Sequence, residues 1–261
     1  MLQIDNIHFN NRLLLGTAQY PTLSLMLDAI VESHAEIITI SLQRESYQQS
    51  HNPFWDVIKS SHCRLLPNTA GCRNAEDAIT MAEMAREIFA THWIKLEVIG
   101  DEYHLQPDPF ELLKAAKILI QKGFIVFPFC TDDLVLCQRL VDVGCEILMP
   151  WAAPIGTGKG ILNPYALQTI RARLPHTTII VDAGIGKPSH AAFAMELGVD
   201  AILLNSAVAL ALQPIKMAGA FRDAVKAGRS AFEAGMMHER NLANSSTLLL
   251  DTPFWHQEKS T

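Results

Sequence analysis

The chain has 261 residues, a length that suits one large domain or two small ones. Apolar residues make up 49% and charged residues 18%, enough for a sizeable core and unlike the composition of a disordered chain. A net charge of -6 with no run of basic residues argues against sequence-independent nucleic-acid binding, which depends on clustered lysine and arginine.

Five cysteines, Cys63, Cys72, Cys130, Cys137 and Cys145, form no CxxC pair, and an odd number predicts reduced thiols. The start, MLQIDNIHF, lacks a charged-then-apolar signal pattern. No apolar stretch reaches the roughly 18 residues of a membrane span. The expectation is a soluble, cytoplasmic protein with no membrane or nucleic-acid partner.

Along the chain, eight short apolar runs rich in strand formers recur, at 12–18, 37–42, 63–70, 93–100, 123–130, 145–153, 177–184 and 201–208. Their starts fall about every 20–32 residues, room for one strand, one helix and two loops. Being continuously apolar rather than alternating, they read as parallel strands buried on both faces. Helices fit between them. Residues 74–90 set Ala78, Met81, Ala82, Ala85, Ile88 and Phe89 on one face, with Asn74 as N-cap. Asp108-Pro109-Phe110-Glu111 opens another helix with an acidic cap, a proline at the first position and a glutamate three residues after the cap. That helix should end at Gly123, and those over 133–143 and 189–197 at Gly144 and Gly198, glycines that suit a left-handed C-cap. Eight such units predict an α/β protein with the (β/α)8 TIM-barrel architecture over residues 1–242. The rival, an open doubly wound sheet of six strands, leaves two units unplaced. Residues 243–261, with loop formers and a late Phe254-Trp255-His256, read as a tail that is partly disordered or docks on the body or a partner.

The fourth run reads Trp93-Ile94-Lys95-Leu96-Glu97-Val98. Side chains alternate along a strand, so Lys95 and Glu97 share one face and Ile94, Leu96 and Val98 the other. In a barrel the charged pair points inward. Burial should make Lys95 lose its proton more easily than in water, and a neutral amine is a nucleophile toward a ketone. Glu97 would then move protons in imine chemistry. The plainer alternative is a structural ion pair inside the barrel. Three later runs end in small residues: Ala153-Pro154-Ile155-Gly156-Thr157-Gly158, Val181-Asp182-Ala183-Gly184 and Leu204-Asn205-Ser206. Barrels bind at the carboxyl ends of their strands and hold phosphate in the loops after the last ones. Gly156, Ala183, Gly184, Asn205 and Ser206 are the candidate anion site, and Asp182 is a second acid/base group opposite Glu97. Cys72, after the third run, is a minor candidate for handling sulfur, and His190 reads as structural. The ten histidines show no ligand spacing, so no metal site is expected.

The stretches LLPNTAG (65–71), WIKLEVIGD (93–101), LQPDP (105–109), MPWAAPIGTGKG (149–160) and VDAGIGKPSHAAFAMELGVDAILLNSA (181–207) resemble bacterial thiazole synthases, over about residues 1–228. The resemblance implies that Lys95 forms an imine with 1-deoxy-D-xylulose 5-phosphate. It implies that Glu97 and Asp182 transfer protons, and that Gly156, Ala183, Gly184, Asn205 and Ser206 bind that substrate, largely through its phosphate. Sulfur would arrive as the C-terminal thiocarboxylate of a ubiquitin-like sulfur carrier protein, and dehydroglycine would supply the remaining carbon and nitrogen. The family implies no cofactor, metal or prosthetic group, and a homo-oligomer, usually a tetramer. The chain departs from the family pattern at Gly16-Thr17-Ala18-Gln19-Tyr20, Ser41-Leu42-Gln43-Arg44, Trp151-Ala152 and the tail. Two other readings use the same residues: a lysine-imine aldolase on another sugar phosphate, and a non-catalytic phosphate-ligand or carrier-binding subunit.

Overall fold

Eight parallel strands close on themselves in the computed structural model, which describes residues 1–42 and 53–244. In chain order they are β3 (Leu13–Gly16), β4 (Ile37–Ser41), β5 (Arg64–Asn68), β6 (Trp93–Leu96), β9 (Ile125–Cys130), β10 (Ile147–Pro150), β11 (Thr178–Asp182) and β12 (Ala201–Leu204). Each pairs with the next, and β12 closes on β3 through Ile202↔Leu13, Leu203↔Leu14 and Leu204↔Leu15. The barrel is thus the expected (β/α)8 architecture. Around it stand α1 (Leu23–Ser33), α2 (Pro53–Ser60), α3 (Ala75–Phe89), α4 (Pro109–Gln121), α5 (Leu134–Asp142), α6 (Pro164–Arg173), α7 (Pro188–Glu196), the short α8 (Ser206–Ala209) and α9 (Pro214–Ala234). Among the described residues no helix is long and apolar enough to cross a membrane.

Alternation along the strands divides the apolar residues into two cores. Leu13, Leu15, Ile94, Leu96, Val98 and Val181 meet the helices. Leu14, Leu66, Trp93, Phe127, Met149 and Ile180 fill the barrel interior. Below them lies a hairpin absent from the sequence reading, β1 (Leu2–Ile4) and β2 (Ile7–Phe9). Asp5 and Asn6, at φ of 51° and 59°, form its two-residue turn, a conformation that aspartate and asparagine tolerate better than most residues. Leu2, Ile4 and Phe9 pack on Ile37, Trp93 and Ala201, the first residues of their strands, and so plug the amino end of the barrel. Asp5 Oδ2 accepts from Trp93 Nε1 at 3.1 Å and fixes the plug to the barrel.

The helix signals are met with one change. Asn74, Asp108 and Asp133 cap α3, α4 and α5 through their side chains, and Gly123, Gly144 and Gly198 take positive φ just past helix ends. Glu111 accepts from the Ala75 amide, 2.7 Å away, so its carboxylate caps the neighbouring helix α3. Every barrel strand is shorter than its predicted run, and in three the early stop shapes the site. β6 stops at Leu96, because Ile99–Asp101 turns out into a small hairpin, β7, with β8 (Gln106–Pro107). β11 stops at Asp182 and β12 at Leu204, before α8 begins. Arg44, the Phe254-Trp255-His256 segment and the tail from 245 onward lie outside the described residues.

Candidate active site

A cavity of about 430 Å³ opens at the carboxyl ends of the strands. Lys95 reaches it from β6, where it pairs in register with Asn68 of β5 on one side and Phe127 of β9 on the other. Glu97 lies just past the end of β6. Its backbone is held by the Thr69 hydroxyl, which accepts from the Glu97 amide and donates to the Glu97 carbonyl, both at 2.8 Å. That clamp keeps Glu97 on the inward face although the ladder has ended. Asp182 enters from the last residue of β11.

The three groups form one cluster. Lys95 Nζ lies 3.0 Å from Glu97 Oε1 and 2.6 Å from Asp182 Oδ2, and the ammonium faces the Phe129 ring at 5.7 Å. Exposure is 7% for Lys95, 6% for Glu97 and 4% for Asp182, so solvent screens these charges little. Burial pulls the Lys95 amine down, as expected from the sequence. The two carboxylates, Asp182 foremost, outweigh that effect and hold the pKa above the ordinary lysine value. The expectation of an easily deprotonated lysine is therefore corrected: at rest the nitrogen is an ammonium, because two anions sit within hydrogen-bond reach. Burial pushes the Asp182 carboxyl up, against the opposing pull of Lys95.

The cradle side comes from the ends of β10, β11 and β12. Ala183 follows Asp182 at φ 71°, a left-handed conformation that costs a residue with a Cβ about 1–2 kcal/mol. Gly184 continues at φ 80°, and a Cβ there would lie 2.3 Å from the Ala153 amide nitrogen, so this position requires glycine. The Ala183 carbonyl accepts from Ala152 and the Gly184 carbonyl from Gly160, which binds the loop after β10 to the end of β11. Across the barrel seam, a Cβ on Gly16 would come within 2.5 Å of Asn205 Cβ; its absence lets the Asn205 side chain lie against β3. Asn205 Oδ1 is buried without a hydrogen-bond partner. A polar atom so placed favours a bound donor group or water.

All eight candidate residues, Lys95, Glu97, Asp182, Gly156, Ala183, Gly184, Asn205 and Ser206, line this one cavity. Cys72 does not line it. The thiol is 5% exposed and burial pushes its pKa up to about 11, which leaves it protonated and unreactive. His190 accepts weakly from the Gly186 amide behind the cradle, a structural role. Thr17, Gln19, Thr39, Ser41 and Asn68 also line the cavity; the sequence marks Thr17, Gln19 and Ser41 only as departures from the family pattern and gives Thr39 and Asn68 no role. Asn68 was within reach: the same alternation that turned Lys95 inward turns Leu66 and Asn68 inward on β5. Among the described residues no group of three or more His, Cys, Asp or Glu is arranged to hold a metal ion.

The family model for thiazole biosynthesis protein ThiG matches residues 3–248. A thiazole synthase of Coxiella burnetii (strain RSA 493 / Nine Mile phase I) is 58% identical over 254 residues, 97% of this chain and 98% of that protein. One from Bradyrhizobium sp. (strain ORS 278) is 55% identical over 257 residues, 98% and 99% of the two chains. Among solved structures, a chain in the crystal structure of the Amycolatopsis orientalis BexX/CysO complex superposes with a TM-score of 0.83 at 30% identity, covering 92% of this chain and 98% of that one.

Proposed function

The chain belongs to the family of thiazole biosynthesis protein ThiG, the thiazole synthases of thiamine biosynthesis, and from that premise we propose how it works. It condenses 1-deoxy-D-xylulose 5-phosphate, dehydroglycine and the sulfur of a carrier-protein thiocarboxylate into the thiazole phosphate, through an imine on Lys95. One observation carries this reading: an ammonium between two buried carboxylates shares a cavity with glycine-rich strand ends suited to an anion.

As the ketone arrives, the Lys95 proton passes 2.6 Å to Asp182, whose carboxyl burial has made a better base. The neutral amine adds to the keto carbon. Asp182 returns the proton to the carbinolamine oxygen, which leaves as water and yields the imine. The imine draws electrons from its neighbouring carbons, and Glu97, 3.0 Å from the same nitrogen, removes a proton there to start the rearrangement. Gly156, Ala183, Gly184, Asn205 and Ser206 hold the phosphate. Ala183 contributes mainly by its left-handed turn, which presents Gly184 to the ligand.

Residues 1–242 act as one catalytic domain, in a cytoplasmic homotetramer, with the tail from 243 as a docking segment. The A. orientalis neighbour comes from a complex of two proteins, which supports a carrier partner here. Leu210, on the cavity lining, and Leu212, fully exposed, extend an apolar rim outward from the mouth, a surface suited to a protein partner.

The test is reductive trapping. Incubation with the xylulose phosphate and borohydride should add the substrate's mass, less one oxygen, to the peptide carrying Lys95, and Lys95→Ala should take up none. Folded protein that forms no adduct would overturn the reading.

A further inference from the structure

The loop between β3 and α1 borders the cavity and is tied down on both sides of Gln19. Thr17 Oγ1 donates to the Thr39 carbonyl at 2.8 Å, and Tyr20 packs against the core between barrel and helices. Between these anchors Gln19 takes a left-handed φ of 68°, a conformation that persists in a residue with a Cβ when its surroundings hold it. One such hold lies across the mouth, where the Ser206 hydroxyl donates to Gln19 Oε1 at 3.0 Å. Gln19 is exposed at the rim and lines the cavity beside Gly156, Gly184 and Ser206.

Two consequences follow from this contact. The Ser206 hydroxyl is already committed to an amide oxygen, and that amide carries two N–H donors next to it. Among the described residues Lys95 is the one cationic side chain lining the cavity, and its ion pairs both go to carboxylates. An anion at the strand ends is therefore held by neutral donors, so each of them weighs more than it would beside an arginine.

We propose that Gln19 is a specificity-determining residue for the phosphate of the substrate. On binding, the Ser206 hydroxyl turns from Gln19 Oε1 to the phosphate, and Gln19 Nε2 becomes a second donor to the same anion. This rests on Ser206 belonging to the phosphate cradle, as proposed above. No hydrogen bond or ion pair among the described residues links Gln19 to Lys95, Glu97 or Asp182, so the charge at position 19 should act on anion affinity and spare the steps at Lys95.

Calorimetric titration of the full-length protein with inorganic phosphate tests this without any chemistry at Lys95. Gln19→Lys should tighten phosphate about five-fold, Gln19→Ala should weaken it about three-fold, and Gln19→Glu should weaken it about ten-fold or more. The xylulose phosphate concentration that half-saturates borohydride trapping should shift in parallel, with the maximal trapping rate within about two-fold of the unaltered protein. Opposite shifts in the two charged variants would place position 19 beside the bound anion, and the loss in Gln19→Ala would show that the amide itself donates. If both shift phosphate affinity the same way, if neither shifts it, or if the unaltered protein binds no phosphate, the proposal fails. Phosphate binding that follows the predicted order in a protein that traps no substrate would instead overturn the imine reading and leave this one standing.

Discussion

Replacing Lys95 with methionine should reveal how much strain the candidate active site places on the fold. The substitution keeps an unbranched side chain of similar reach and removes the one positive charge facing Glu97 and Asp182. Two carboxylates, each more than nine-tenths buried, are then left without a counter-ion. Breaking a buried ion pair from one side costs about 3–5 kcal/mol, because the remaining charge stays desolvated. For a domain of this size that corresponds to a fall in Tm of about 6–20 °C. The loss should depend on pH with a definite sign. Asp182 already titrates above its ordinary value of 3.8 in the folded protein, and without Lys95 it should titrate higher still. The folded variant then binds more protons than the unfolded chain at mildly acidic pH, so its stability rises as pH falls from 8 toward 5. In the unaltered protein the gain from Asp182 should be smaller, because Lys95 pulls its carboxyl back down. Its Lys95 titrates above the ordinary 10.5, so the stabilisation from that group is intact below pH 10 and is lost only as pH climbs through the folded value. Urea denaturation of both proteins at pH 5 and pH 8 separates the cases. A variant as stable as the parent at pH 8, or one whose deficit does not shrink at pH 5, would refute the argument that the carboxylates are buried anions balanced by Lys95.

Asp182→Asn removes the nearer anion and the proton acceptor at once. The Lys95 amine should titrate lower, while the trapping rate with substrate should drop about 10²- to 10⁴-fold for want of an acid/base group; a pH–rate profile of borohydride trapping reads both. Gly184→Ala forces a Cβ to within 2.3 Å of Ala153 backbone at a φ of 80°, and should cost about 2–4 kcal/mol by thermal denaturation together with a marked loss of phosphate affinity. Asn68→Asp sets a third carboxylate beside Lys95 in the adjacent strand and should move the trapping profile to higher pH, whereas an Asn68 whose side chain points away from Lys95 would leave the profile where it is.

The barrel was legible because its signals are local and repeat. Continuous apolar runs of strand length such as Ile37–Ser41 and Thr178–Asp182 read as strands covered on both faces, and caps such as Asn74 and Asp133 mark helix starts through their own side chains. The inward set on β6 followed from alternation alone. The β1–β2 hairpin carries no such signal, because its strands have three residues each and its purpose, to close the amino end of the barrel over Trp93, exists only in three dimensions. The ends of β6, β11 and β12 were overrun for a related reason. Apolar or small residues continue past them, and what stops the ladder is a hairpin, a left-handed alanine and a helical turn, none of which changes the composition. The protonation of Lys95 is not legible in the sequence, because the strand pattern shows its burial while the approach of Asp182 depends on two strands far apart in the chain.

That approach also explains why proton transfer within the cluster is preferable to proton loss. The ammonium and two carboxylates carry a formal charge of -1 in a cavity where, among the described residues, no other cation faces the ligand. A phosphate dianion entering this space raises the negative potential further and makes it harder for Lys95 to release a proton to solvent. Passing the proton 2.6 Å to Asp182 leaves the total charge unchanged, turns a buried carboxylate into the neutral form that burial already favours, and frees the amine as the ketone arrives. The anion that would suppress a solvent-exposed lysine therefore does little against this one. A neutral cradle suits the same logic: an arginine beside the phosphate would pull Lys95 and Asp182 back toward their separate ordinary values, whereas backbone amides, Asn205, Ser206 and Gln19 bind the anion through short-range hydrogen bonds and leave the pair coupled.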